Sequence, residues 1–268
     1  MNFNIHERLI MKCNIVIANY NYSKWIEQCI KSTLSQTYKD IVISVVDDCS
    51  TDDSVKIALK TFDITSEPLE TEEYLLWEQD NKQVFKLKKN SGPSTARNTA
   101  IAYNIKTCDF FSALDADDYI YPHKIETLIS ELTKFVGVGC IYADYDILNI
   151  KTNKAKYEFK RTYSYAKLLG ECIIHSGCLF TREALLATVE ETGFYDQRIK
   201  GPEDYDLWLR MAEKFMILHY PESLTCIRAT GVNISNTSLS SNSNNYKLGF
   251  EILNRKLQER NARTQTNR

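Results

Sequence analysis

No stretch of this chain approaches the roughly 18 to 20 consecutive apolar residues that crossing a bilayer requires, so no membrane-spanning helix is expected. Neither sign of charge dominates. The 33 basic residues stand against 35 acidic ones, a formal net charge of −2, with no basic face apparent, which argues against nucleic acid as a partner. Eight cysteines occur without a single C-x-x-C pair, so the usual zinc spacing is missing. A chain of 268 residues has core enough to do without a disulfide framework. The first twelve residues carry charges and lack the apolar run of a secretory signal. These absences leave an ordinary globular protein, 43% apolar and 25% charged, whose expected place is the cytoplasm.

Periodicity supplies the organisation. Residues 13–18 are apolar and rich in β-branched side chains, fit for a buried strand. Ser23 is placed to cap a helix whose apolar positions are Trp25, Ile26, Cys29, Ile30, Thr33 and Leu34. A second apolar run covers 41–46, so the chain begins strand, helix, strand, the pattern of a parallel pair with a crossover. Val55, Ile57, Ala58, Leu59 and Phe62 predict another helix. Residues 63–81 are acidic, contain Pro68 and read as an insertion, in which 72–77 predicts a short helix. A third strand over 84–87, a helix over 96–103 and a fourth strand over 110–114 complete an α/β alternation.

The fourth strand ends in Asp115-Ala116-Asp117-Asp118. Side chains two apart on a strand point the same way, so Asp115 and Asp117 leave it on one side with Asp118 beside them. Three carboxylates this close repel unless a cation or a shared proton answers them. A hard divalent ion is the simplest answer, and such ions bind diphosphates; caps and turns use the same residues. A second acidic group, Asp47-Asp48, closes the second strand. In an open α/β sheet ligands bind beyond the carboxyl ends of the strands, so both groups can face one crevice.

The segments Val46-Asp47-Asp48-Cys49-Ser50-Thr51-Asp52, Asn90-Ser91-Gly92-Pro93-Ser94-Thr95-Ala96-Arg97-Asn98, Leu114-Asp115-Ala116-Asp117-Asp118 and Gly201-Pro202-Glu203-Asp204-Tyr205-Asp206 resemble, in order, the successive motifs of the family two glycosyltransferases. The resemblance runs from about Cys13 to Arg228 and implies the GT-A fold: a nucleotide-binding sheet flanked by helices, fused to a smaller acceptor-binding half. It divides the chain into a nucleotide-sugar-binding half (11–121), an acceptor-binding and catalytic half (122–230), and a polar loop with a C-terminal helix (231–268). It places Asp47 and Asp48 at the base and ribose near Asn19 and Tyr20, Arg97 close to the nucleotide, Asp115 towards the ribose, Asp117 on a divalent Mn2+ or Mg2+, and Asp204 as the catalytic base. Cys49 departs from the family by replacing a glycine, and lacks glycine's freedom at positive φ.

The activity this implies is inverting transfer from a nucleotide-sugar donor, a UDP-sugar above all, to a glycan or lipid-linked glycan acceptor. Two other readings use the same carboxylates: a metal-dependent nucleotidyl- or phosphotransferase, and a non-catalytic nucleotide-sugar binder. Pro202, Leu207, Trp208 and Met211 predict a helix on whose first turn Asp204 sits, where acidic residues also favour the macrodipole. His175 reads as a packed or acceptor-side histidine, Phe194 and Tyr195 as packing for the acceptor half, and Arg228 as either a diphosphate contact or a surface residue. Residues 233–245 are too polar to pack and read as a loop. Beyond them Tyr246, Phe250, Leu253 and Leu257 form a helical stripe for which docking on the core is expected, with subunit pairing and peripheral contact with an anionic membrane as the other uses.

Overall fold

Alternate residues of β1 (Cys13–Asn19) divide between two cores, Ile15 and Ile17 in one and Val16 in the other, as side chains on opposite faces of a strand must. The strand is therefore central, with a helical layer on each face. In the computed structural model residues 11–175, 177–229 and 244–266 are described. One layer brings Ile26 and Ile30 of α1 (Ile26–Leu34), Ala58 and Phe62 of α2 (Ser54–Phe62) and Leu128 of α4 (Lys124–Leu132) against the Ile15 face. The other packs Ala96 and Ile101 of α3 (Pro93–Asn104), Leu168 of α5 (Tyr165–Gly170), Leu185 of α6 (Arg182–Thr188) and Trp208 of α7 (Glu203–Ala212) against Val16.

The sheet grows outward from β1. It pairs in parallel with β2 (Ile41–Asp47) and β6 (Phe110–Asp115), and β2 pairs in parallel with β5 (Lys82–Leu87). Beyond β6 the direction mixes: β10 (Leu179–Thr181) runs antiparallel to β6 and to β8 (Val138–Asn149), and β11 (Met216–Ala229) runs parallel to β8. The two-residue β7 (Tyr119–Ile120) closes on β11, and β9 (Lys154–Glu158) forms a ribbon with β8.

The 63–81 segment departs from expectation. Instead of a short helix it holds β4 (Tyr74–Gln79), which pairs antiparallel with β5, and β3 (Leu69–Glu70), which pairs antiparallel with β4 and extends the sheet further. A two-residue turn at Asp80 and Asn81, with Asp80 left-handed at φ 55°, lets β4 pair along β5. Leu76 is thereby buried and Tyr74 sets its ring edge-on to Phe85 at 5.3 Å. Sheet pairing outweighs a helical pattern only six residues long.

Two boundaries also move. Helix α1 begins at Ile26 with Trp25 at its N-cap and no side-chain cap; the expected cap, Ser23, donates its N–H to Asp52 at 2.9 Å instead. Helix α3 begins at Pro93, after Gly92 at φ 89°, a proline at the first turn losing no intrahelical bond. A buried polar network anchors α3 to the strands: Asn14 donates to Ser44 (2.8 Å), Ser44 to Gln83 (2.6 Å), and Asn104 to Gln83 (2.9 Å).

The C-terminal helix, α8 (Asn244–Thr266), docks on the α3/α7 layer through Leu253, 1% exposed, with Leu257 packed beside it. Of the polar loop expected over 233–245, residues 233–243 lie outside the described residues, as do the charged N-terminal residues 1–10, while 244 and 245 already belong to α8. All eight cysteines carry free thiols. Among the described residues no helix is long and apolar enough to cross a membrane.

Candidate active site

Strand register builds the site. Asn19 stands opposite Asp47 and Ala18 opposite Asp115, so the carboxyl ends of β1, β2 and β6 place their polar residues along one edge. At that edge Asn19 donates to Asp47 at 2.7 Å, and Asp47 accepts the Ser50 N–H at 2.9 Å. The loops after β1 and β2 are stitched together, Asn21 N–H to Ser50 Oγ at 2.8 Å and Thr51 N–H to Asn21 Oδ1 at 2.9 Å. Tyr20 lies on this rim with 46% of its surface exposed. Asp48 turns towards the start of α3, its two oxygens accepting the N–H groups of Ser91 (2.8 Å) and Gly92 (2.7 Å). Both aspartates thus shape loops through their own hydrogen bonds. Cys49, which follows Asp48, is left-handed at φ 64°, the strain that its place in a glycine position foretold.

Arg97 joins the two ends of the site. Its Nη2 donates to Asp115 Oδ1 at 2.8 Å, while Nη1 pairs with Glu203 Oε1 at 2.8 Å and lies 3.4 Å from Asp204 Oδ1. The guanidinium also sits over the Tyr195 ring, 5.3 Å from its centroid. The start of α7 is thereby brought to the end of β6. Asp204 Oδ1 is buried without a hydrogen-bond partner. Burial pushes its carboxyl up to about 7; Arg97 pulls it down, and Glu203 and Asp115 push it up further.

The three carboxylates after β6 are answered partly by the protein's own cations. Asp115 has Arg97. Asp118 accepts the Arg228 N–H at 2.9 Å and is raised well above the ordinary carboxylate range by burial and by its two acidic neighbours. Arg228 is 1% exposed, which rules out the surface position. Its guanidinium lies between the rings of Trp25 and Tyr119, each centroid 4.9 Å away, and donates to Gln28 and to the carbonyl of Asp117. Asp117 is buried, and burial together with the charge of Asp115 pushes its carboxyl up to about 6, with Tyr22 hydrogen-bonded beside it. A divalent cation suits such a group, since Mg2+ is commonly held by one or two carboxylates together with substrate phosphates.

Among the described residues one trio of acidic side chains brings ligand atoms within 4.8 Å of one another, and it lies elsewhere: Glu190, Asp196 and Asp206. Its centre is taken by the ammonium of Lys256, 2.9 Å from Glu190 and from Asp196. His175 is buried, its Nδ1 accepting the Gly177 N–H at 2.9 Å; burial, then Lys124, holds its pKa well below the usual value. Phe194 and Tyr195 are buried in the core, as packing residues should be.

Sequence reasoning missed Glu203, Tyr22, Trp25 and Gln28. Glu203 carried one signal, its place beside Asp204; Trp25 and Gln28 are drawn in by the buried Arg228, about 200 residues away in the sequence, and Tyr22 by Asp117, which no local pattern reveals.

The sequence profile described as glycosyl transferase family 2 matches residues 14–187. An uncharacterized glycosyltransferase of Rickettsia prowazekii is 32% identical over 249 residues, 90% of this chain and 70% of its own length. The chondroitin synthase of Escherichia coli is 30% identical over 203 residues, 75% of this chain but only 26% of that longer protein. Among solved structures, S. aureus TarS 1-349 in complex with UDP-GlcNAc superimposes with a TM-score of 0.61 at 18% identity, covering 85% of this chain and 61% of TarS 1-349. The mixed sheet with helices on both faces is the GT-A fold. Profile, relatives and fold agree that the chain belongs to glycosyl transferase family 2.

Proposed function

We propose that this protein moves a sugar, with inversion at the anomeric carbon, from a UDP-sugar donor to a glycan or lipid-linked glycan on the cytoplasmic side of the cell. The observation that carries the reading is Arg97, one guanidinium that pairs with Asp115 at the end of β6 and reaches Asp204 at the start of α7. In this reading residues 11–121 hold the donor, with Asn19, Tyr20, Asp47 and Asp48 around base and ribose, and residues 122–230 receive the acceptor. The UDP-GlcNAc of the TarS complex and the chondroitin synthase relative support a UDP-sugar and a polysaccharide acceptor.

Asp204 accepts the proton of the acceptor hydroxyl as that oxygen attacks the anomeric carbon and the bond to the diphosphate breaks. With a pKa of about 7 it is ionised in useful amount at neutral pH yet basic enough to take the proton. Direct displacement from the face opposite the leaving group inverts the centre. Asp117 would hold a Mn2+ or Mg2+ ion, which would supply positive charge to offset that building on the departing diphosphate. Arg97 pairs with Asp115 and aligns Asp204, and burial of Asp117 and Asp118 limits competition from water.

Incubation of the full chain with a panel of nucleotide sugars, Mn2+ and oligosaccharide acceptors, with anomeric analysis of the product, tests the reading. Release of UDP with an inverted glycosidic bond supports it. Release of phosphate or diphosphate would mark a phospho- or nucleotidyltransferase, and donor binding without turnover on any acceptor would mark a binder.

A further inference from the structure

Lys256 of α8 ends in a socket of three carboxylates carried by the chain on either side of Asp204. Its Nζ lies 2.9 Å from Glu190 Oε2, 2.9 Å from Asp196 Oδ2 and 3.1 Å from Asp206 Oδ1. Asp196 and Asp206 are fully buried. Further cations complete the cluster: Arg198 on Asp196 at 2.6 Å, Arg210 on Asp206 at 2.9 Å and Arg260 on Glu213 at 2.8 Å. Four acids thus face four bases. Loss of Lys256 leaves this partly buried group one positive charge short, and the fully buried Asp206 Oδ1 loses its nearest cation.

A second contact ties α8 to the same segment. Gly249 lies against the backbone of Lys200, so closely that a Cβ there would stand 2.5 Å from the Lys200 carbonyl oxygen and 2.6 Å from its nitrogen. Gly249 and Lys256 are seven residues apart, two helical turns, and so share one face of α8. That face touches the chain before Asp204, at Asp196 and Lys200, and after it, at Asp206. The Lys200 ammonium continues the chain of contacts to the carbonyl of Ser91, whose N–H is held by Asp48.

We infer that Lys256 is a positioning residue for the acceptor step: by filling the Glu190, Asp196 and Asp206 socket it fixes residues 196–206 and with them the direction in which Asp204 faces Arg97. The inference rests on Asp204 acting as the base, as proposed above. An acidic trio that could otherwise attract a metal is used as a socket for the helix, so the C-terminal helix is part of the active-site architecture.

The test compares full-length wild type, Lys256→Ala and Lys256→Arg by three measurements: amide hydrogen exchange over 196–206, UDP binding with Mn2+, and UDP release in the presence of acceptor. Lys256→Ala is expected to raise exchange in 196–206 while leaving exchange in β1 and β2 and the affinity for UDP within about twofold. It is expected to lower kcat by about ten- to a hundredfold with little change in donor KM, the scale of a misplaced catalytic group. Lys256→Arg restores most of the rate. Unchanged exchange and unchanged kcat in Lys256→Ala would overturn the inference, as would a loss confined to donor KM. Should Lys256→Ala fail to fold, Lys256→Gln, which keeps the stem and removes the charge, decides by the same readings. If wild type transfers no sugar, the proposed function fails, and the exchange measurement still decides whether Lys256 holds the segment.

Discussion

Arg97 Nη1 stands 3.4 Å from Asp204 Oδ1 while Nη2 of the same guanidinium donates to Asp115 at 2.8 Å, so one rigid plane connects a strand end of the sheet with the first turn of α7. A lysine has no fork with which to span both groups. The bridge is also where two stretches 89 residues apart in the chain, 115 and 204, acquire a common geometry.

Arg97→Ala leaves Asp115, Glu203 and Asp204 without their shared cation in a largely buried place. It should lower the unfolding free energy by about 3 to 5 kcal/mol, the usual cost of removing one partner of a buried pair. Arg97→Lys should recover part of the stability and little of the turnover. Urea unfolding and UDP-release assays read the two effects; equal recovery of both would show that charge alone is needed.

As the proposed base, Asp204 should give stability and activity opposite pH dependences. A base must be ionised, so UDP release should rise with pH through about 7. Its folded pKa lies above the unfolded value of about 3.9, so its contribution to stability is fullest below that value and falls as pH climbs towards 7. Asp204→Asn should therefore reduce turnover by about 10²- to 10⁴-fold. At pH 8 it should hold or raise the unfolding free energy, by about 1 kcal/mol. A variant that loses turnover only because it unfolds would contradict the assignment.

Cys49 at φ 64° sits where a Cβ is unwelcome. Cys49→Gly relieves that strain while adding backbone freedom to the unfolded chain, two effects of about 1 kcal/mol each that nearly cancel. Cys49→Val keeps the strain and adds a β-branch, and should cost about 1 to 2 kcal/mol. Thermal melts of both variants distinguish a strained turn from a tolerant one; a valine as stable as the cysteine would show that the turn relaxes.

The strands that end in Asp47 and Asp115 were legible because apolar runs end abruptly in aspartates, and strand ends are where an α/β sheet places its ligands. The position of Asp204 was legible only through its motif, since nothing in Glu203-Asp204-Tyr205-Asp206 distinguishes a buried base from a solvated helix start. β4 was missed because its pairing with β5 depends on a two-residue turn rather than on the pattern within 72–77. The burial of Arg228 and the Lys256 socket were illegible for the same reason: each depends on partners brought from 50 or more residues away.

Asp117 should carry the metal dependence of donor binding. Its buried carboxyl, pushed up to about 6 by burial and the nearby Asp115, is the group of this trio whose ionised form gains most from an added cation, since Asp115 already has Arg97 and Asp118 accepts the Arg228 N–H. In wild type, UDP with Mn2+ should raise the melting temperature more than UDP alone, because a ligand that binds only the folded state stabilises it in proportion to its affinity. Asp117→Asn preserves the shape of the side chain and removes its charge, so it should abolish the extra Mn2+-dependent shift while leaving the shift with UDP alone nearly intact. Asp118→Asn should keep the Mn2+ effect and lower stability, because it weakens the hold on Arg228. The reverse pattern, with the Mn2+ effect lost in Asp118→Asn and kept in Asp117→Asn, would move the metal to Asp118.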